Sequence, residues 1–179
     1  MHRRLALIIA FALLLAACSG GDGALPTGAS VEGSLVERPD GSFVSPDFTV
    51  SLADGTTWSL AEQTTPTLLV FWAHWCTVCR AELPALDAVA ADYDGRLGFL
   101  AVAGMGSPDR AAQRADDWLR SGPIDWGYDD GRELWALFGA RGTPTHVVLA
   151  VDGTVLAVQP GALPADKRAV LDEVVAVGS

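Results

Sequence analysis

The chain has 179 residues, half of them hydrophobic and about a fifth charged, which suits one folded domain with extended ends and excludes a disordered polymer. Its formal net charge is −10. That balance argues against nucleic acid as a partner and against adhesion to anionic lipid.

His2, Arg3 and Arg4 form a short basic start, and Leu5 to Ala17 is wholly apolar. The run is shorter than the roughly 20 residues that span a bilayer. It fits a secretory signal peptide over residues 1–17. Leu15-Ala16-Ala17-Cys18 resembles the lipobox of bacterial lipoproteins. By that resemblance Cys18 carries the lipid and becomes the mature N-terminus, on a chain anchored to the membrane outside the cytoplasm. An ordinary signal peptide with a nearby cysteine is the plainer alternative. Loss of residues 1–17 removes Arg3 and Arg4 and moves the formal charge from −10 to −12. Acyl chains hold by burial of methylenes, so this charge does not oppose an anchor.

Residues 18–42 are rich in Gly, Ser, Pro and Ala and read as the lipidated cysteine followed by a flexible tether. The folded domain is expected over 43–179. Phe48 to Leu52 and Thr57 to Leu60 alternate around Asp54-Gly55, the signature of a β-hairpin. Thr67 to Trp72 is a continuous apolar run that suits a strand buried on both faces. A helix follows over roughly 78–93, with Leu83, Leu86, Val89, Ala90 and Tyr93 at helical spacing and Pro84 inside it.

Leu97 to Ala103 reads as a second buried strand, Pro108 to Arg120 as a helix, and Ile124 to Gly127 as a short strand. A short helix over 132–138 closes at Gly139. His146 to Val151 and Thr154 to Gln159 form a second hairpin around Asp152-Gly153, and Pro164 opens a last helix. Strands alternating with helices imply an α/β fold: a central mixed sheet flanked by helices, with an N-terminal β-hairpin.

If lipid takes Cys18, Cys76 and Cys79 remain as a pair. They sit in Trp75-Cys76-Thr77-Val78-Cys79, where a buried strand gives way to a helix. Cys76 falls at the helix start, facing unpaired N–H groups and the positive end of the dipole. Such settings bring a thiol from about pH 8.5 to about 3.5–7.5, and the thiolate is the nucleophile. Cys76 would then attack a partner disulfide, and Cys79, one turn further in, would resolve the mixed disulfide. A structural bridge gains little from so short a loop. Zinc usually needs four ligands. Copper held by Cys76, Cys79 and His146 is a third alternative.

WCTVC after an apolar strand, Pro84 beyond Cys79, and Gly142-Thr143-Pro144-Thr145 before another apolar strand resemble the thioredoxin superfamily. The leading hairpin, Cys18 and Arg80-Ala81-Glu82-Leu83-Pro84 are similar to its extracytoplasmic TlpA, ResA and DsbE group. The resemblance implies Cys76 as attacking and Cys79 as resolving cysteine. Pro144 becomes the cis proline beside them, and Thr143 offers backbone hydrogen bonds to substrate. Glu82 corresponds to a glutamate that assists proton transfer at the inner cysteine, or else is a solvated first-turn carboxylate. Trp75 presents an apolar surface to partners.

No cofactor is implied beyond the redox disulfide. The implied partners are extracytoplasmic protein thiols and disulfides and a membrane thiol-disulfide electron carrier, with the direction open: a reductase would feed thiols to clients such as apocytochrome c, and an oxidase would insert disulfides into secreted chains. A monomer suffices. Val78 stands where many relatives have proline, and Val70 where cytoplasmic thioredoxins carry a buried aspartate. Two other functions compete with disulfide exchange: a peroxiredoxin-like peroxidase and a non-enzymatic copper-binding lipoprotein. Trp72-Ala73-His74-Trp75 lacks the threonine that peroxiredoxins place before their reactive cysteine.

Overall fold

Val70 lies within an apolar run, paired with Ala101 on one side and His146 on the other. The computed structural model describes residues 24–178. The expected signal peptide over 1–17 and the lipidation site Cys18 lie outside the described residues.

Strand β6 (Thr67–Trp72) is buried along its whole length. Alternate side chains leave opposite faces of a strand. Accordingly Leu68, Val70 and Trp72 enter one core, and Leu69 and Phe71 enter another. Around β6 lies a seven-stranded mixed sheet whose order is β2 (Val36–Glu37), β3 (Phe43–Val44), β10 (Thr154–Pro160), β9 (Thr145–Leu149), β6, β7 (Gly98–Ala103), β8 (Asp125–Tyr128). Strands β6, β7 (Gly98–Ala103) and β8 (Asp125–Tyr128) are parallel. Strands β9 (Thr145–Leu149) and β10 (Thr154–Pro160) run as an antiparallel hairpin on the other side.

Helices α1 (Thr77–Ala90), α2 (Pro108–Trp118) and α4 (Lys167–Gly178) contribute Leu83, Ala111, Trp118 and Leu171 to the first core. Short helix α3 (Glu133–Leu137) covers the second core with Leu134 and Trp135. The first hairpin, β4 (Phe48–Ser51) and β5 (Thr57–Ser59), pairs Val50 with Trp58 across the Asp54-Gly55 turn. Phe48, Val50 and Trp58 join the second core.

Two expectations change. The stretch read as tether up to residue 42 is partly built into the domain. Strand β1 (Ala29–Val31) pairs with β4 from Ala29↔Val50 to Val31↔Phe48. Strand β2 (Val36–Glu37) pairs with β3 (Phe43–Val44). Small and turn-forming residues dominate the composition there, but Ala29, Val31 and Leu35 are spaced to cover the second core. The last helix starts at Lys167 rather than Pro164. Glu82 accepts the Leu163 amide at 3.1 Å, and Asp166 Oδ1 accepts the Ala169 amide at 3.1 Å as the cap.

Candidate functional site

Cys76 occupies the N-cap of α1 in extended conformation (φ −72°, ψ 110°). A cap residue turns its side chain onto the first free amides of the helix. Here Cys76 Sγ accepts the Cys79 N–H at 3.0 Å. The same sulfur is bonded to Cys79 Sγ, with the two Cα atoms 5.3 Å apart. Cys79 is fully buried and Cys76 is 4 % exposed, so the N-terminal cysteine is the one nearer to solvent. Trp75 and Val78 are exposed beside the pair and give the surface around it an apolar character.

Three chain segments meet at this end of the sheet. Strand β6 leads from Trp72 into the cysteine motif. Strand β7 ends beside it, with the Gly104 amide donating to Trp72 O at 3.1 Å. Strand β9 begins opposite Phe71, which pairs with Thr145. Pro144 therefore lies one residue beyond Phe71's partner, and its peptide bond with Thr143 is cis. Pro144 O accepts the Gly161 amide at 2.8 Å, and Thr145 Oγ1 donates to Gly142 O at 2.8 Å. These bonds fix the loop on which Thr143 is half-buried.

Glycines let the β7 end approach closely. A Cβ on Gly104 would stand 2.6 Å from Trp135 Nε1, and one on Gly106 would stand 2.6 Å from His74 Nε2. Between them Met105 takes a positive φ of 57° and accepts the Trp75 indole N–H at 2.7 Å. Burial lowers the His74 pKa, and the Arg110 and Arg114 charges add to the effect. That histidine is therefore biased toward the neutral ring.

Glu82 is one turn beyond Cys79 on the buried face of α1 and is 4 % exposed. It is not a solvated first-turn carboxylate. His146 Nε2 lies 3.0 Å from its Oε1, and Lys167 Nζ 3.6 Å. Burial alone would push the Glu82 carboxyl up. The His146 imidazole, the Leu163 amide and the Lys167 charge outweigh it and hold the carboxyl below its ordinary range.

His146 thus faces Glu82, and among the described residues no three His, Cys, Asp or Glu side chains gather as metal ligands. The copper arrangement expected as an alternative is not assembled. Among the described residues no helix is long and apolar enough to cross a membrane. Met105, His74, Lys167 and the Glu82–His146 contact carried no recognisable sequence signal, except that Gly104 and Gly106 bracket Met105.

The AhpC/TSA family model matches residues 44–158. Thioredoxin from Haemophilus influenzae is 31% identical over 99 residues, which cover 55% of this chain and 69% of that one. Among solved structures, one from Chlorobium tepidum assigned as the thiol:disulfide interchange protein DsbE matches with a TM-score of 0.67 and 25% identity, covering 84% of this chain and 100% of that one. The exposed lipoprotein thioredoxin of Streptococcus pneumoniae matches at 0.60 and 26% identity, covering 72% of this chain and 97% of that one.

Proposed function

Since the chain belongs to the AhpC/TSA family and is a thioredoxin-like thiol-disulfide oxidoreductase, we propose that it exchanges disulfides with extracytoplasmic proteins through Cys76 and Cys79. One observation carries this reading: Cys76 Sγ caps α1 and accepts an amide N–H while bonded to a fully buried Cys79. The cap favours negative charge on that sulfur once the bond is reduced.

Cys76 thiolate attacks the partner's disulfide and forms a mixed disulfide, releasing one partner thiolate. Cys79 then attacks Cys76 Sγ and releases the second. The buried carboxylate of Glu82 receives the Cys79 proton. Trp75, Val78 and the Thr143–Pro144 loop receive the partner's chain around its cysteine. Cys18 holds the domain to the outer side of a bacterial membrane, and a membrane thiol-disulfide carrier resets the pair. The match to an exposed lipoprotein thioredoxin supports that location.

The test uses Cys79→Ser and Cys76→Ser with a disulfide-bonded protein as partner. Cys79→Ser should accumulate a covalent adduct that dithiothreitol releases, and Cys76→Ser should form none. An equal adduct yield from both variants would overturn the assignment of the attacking cysteine. Equilibration with glutathione or dithiothreitol gives direction. A potential of about −250 mV or lower marks a reductase, and about −130 mV an oxidase.

A further inference from the structure

Unpaired positive charge collects at one end of this acidic chain. Arg38, Arg114, Arg120 and Arg168 meet carboxylates, and Arg96 meets the Asp92 carbonyl. Among the described residues, the guanidinium groups with neither a hydrogen bond nor an ion pair are those of Arg80, Arg110, Arg132 and Arg141. All four sit where β6, β7 and β8 finish and β9 begins, the end of the sheet that carries the disulfide. Arg80 follows Cys79 in α1, its amide donating to Cys76 O at 3.1 Å. Arg110, in the first turn of α2, acts by its charge on His74, two residues before Cys76.

Arg132 and Arg141 share one wall. With Met105 and Trp135 they line a cavity of about 500 Å³, and the rest of its lining is glycine and alanine. No carboxylate lines it. In the chain before and at the start of α3, Asp129 is engaged by the Glu133, Leu134 and Trp135 amides. Asp130 is exposed, and the Glu133 carboxylate lies against Gly131. These acids temper the positive charge without occupying the arginines. Both non-glycine residues at positive φ among the described residues, Met105 at 57° and Arg132 at 61°, belong to this wall. Backbone held in that region recurs at ligand clamps. The cavity also touches both segments that frame the disulfide. Met105 holds the Trp75 indole at 2.7 Å, and Arg141 stands two residues before Thr143.

We propose that Arg132 and Arg141 form a subsite for an acidic side chain of the client, within a few residues of the client cysteine that Cys76 attacks. The inference rests on the disulfide-exchange reading above and gives it a substrate class: protein segments with Asp or Glu beside the cysteine. A guanidinium presents a planar pair of N–H donors that matches a carboxylate. Arg80 and Arg110 add positive charge along the same end of the sheet. The formal charge of −10 does not prevent this. At physiological ionic strength charges are screened beyond about 8 Å, so a docked segment meets the arginines beside it rather than the chain's total.

The test uses Cys79→Ser, in which reaction stops after attack by Cys76 and its rate does not depend on the potential of the pair. The probes are peptide disulfides identical except for Glu, Gln or Lys at the positions flanking the cysteine. Cys76 thiolate attacks the peptide disulfide, the mixed disulfide forms, and the other peptide leaves as thiolate and takes a proton from solvent. Each rate is divided by that of the same peptide with free dithiothreitol, which cancels the effect of the charge on the peptide's own sulfur. At about 0.15 M ionic strength the Glu peptide should react about tenfold faster than the Gln peptide, and the Lys peptide slower than both. Adding Arg132→Gln and Arg141→Gln should abolish the difference between Glu and Gln. Adding Arg132→Glu and Arg141→Glu should reverse the order, a result that loss of folding cannot imitate. Arg168→Gln, whose parent side chain pairs with Asp92 beyond the other end of α1, should keep the original preference. Equal rates for all the peptides, or a Glu preference that survives the double substitutions, overturns the subsite while leaving disulfide exchange standing. Absence of an adduct with any of the peptides overturns the exchange reading, and the subsite with it.

Discussion

The indole N–H of Trp75 donates to the carbonyl of Met105 at 2.7 Å, across 30 residues of chain, and Met105 meets it with a backbone at positive φ. A non-glycine residue in that region costs roughly 1–2 kcal/mol. The hydrogen bond and the close approach at Gly104 and Gly106 hold the loop there. An exposed tryptophan is thus fixed in place beside the disulfide rather than left to sweep through solvent.

Trp75→Ala should therefore act on partner recognition more than on folding. Exchange with a protein disulfide is expected to slow by about tenfold, equivalent to about 1.4 kcal/mol. Exchange with glutathione, which has little surface to contact the indole, should change much less. Parallel rate measurements with the two oxidants check this, and equal slowing of both would show that Trp75 acts on the cysteines instead.

The hairpin sheet joins the central sheet where Gly127 pairs with Leu52. A Cβ on Gly127 would fall 2.4 Å from Ser51 O and 2.5 Å from a Val50 methyl. Backbone oxygen cannot rotate away. Gly127→Ala should destabilise the domain by about 1–3 kcal/mol through overpacking, read as a lower urea midpoint. Gly122→Ala has open space around it but a φ of 82°, so it separates backbone strain from steric contact.

Two buried carboxyls give opposite pH signatures. Burial raises the Asp129 pKa to about 6, with Glu133 adding to the rise and the Leu134 and Trp135 amides opposing it. Its ordinary value is 3.8, so the folded state binds the proton more tightly. The resulting stability is full below about pH 3.8 and is lost as pH rises through about 6. Wild type should gain on Asp129→Asn in melting temperature as pH is lowered from 7 toward 4. For Glu82 the pKa is lowered from 4.5, so its contribution is present above that value and lost as pH falls further. Wild type should lose ground against Glu82→Gln below about pH 4.5.

Leu86 lies one turn beyond Glu82 and is fully buried in the first core. Leu86→Ala should cost about 2–5 kcal/mol, measured by denaturant unfolding. With the redox pair oxidised, such a loss should leave the Cys76–Cys79 potential close to wild type, because the substitution touches packing and not charge.

What the sequence disclosed was local in character. The strand at Thr67–Trp72, the helix that follows, and the cysteines at their junction rest on periodicity and a single boundary. The family resemblance brought Thr143 and Pro144 to the same place, which the pairing of Phe71 with Thr145 accounts for. The partners of Glu82 were not readable in that way. Leu163, Lys167 and His146 come from a loop, a helix start and a strand, at separations of up to 85 residues, and no local pattern couples them. Strand β1 was missed for a related reason. It is three residues long, within a stretch rich in Gly and Pro, and its partner β4 is distant in sequence, so no local alternation announces it.

One margin of the seven-stranded sheet is taken up and the other is only two residues long. At β8, Gly28 donates to Tyr128 O at 2.8 Å and Ala53 to Trp126 O at 3.1 Å, so the segment before β1 and the hairpin turn use up that margin. At the other side β2 is two residues long and ends at Glu37, with Arg38 next to it. A long bare margin would template the addition of strands from neighbouring copies. Edge-to-edge addition of a second copy therefore finds no long run of free strand backbone at either side of the described sheet.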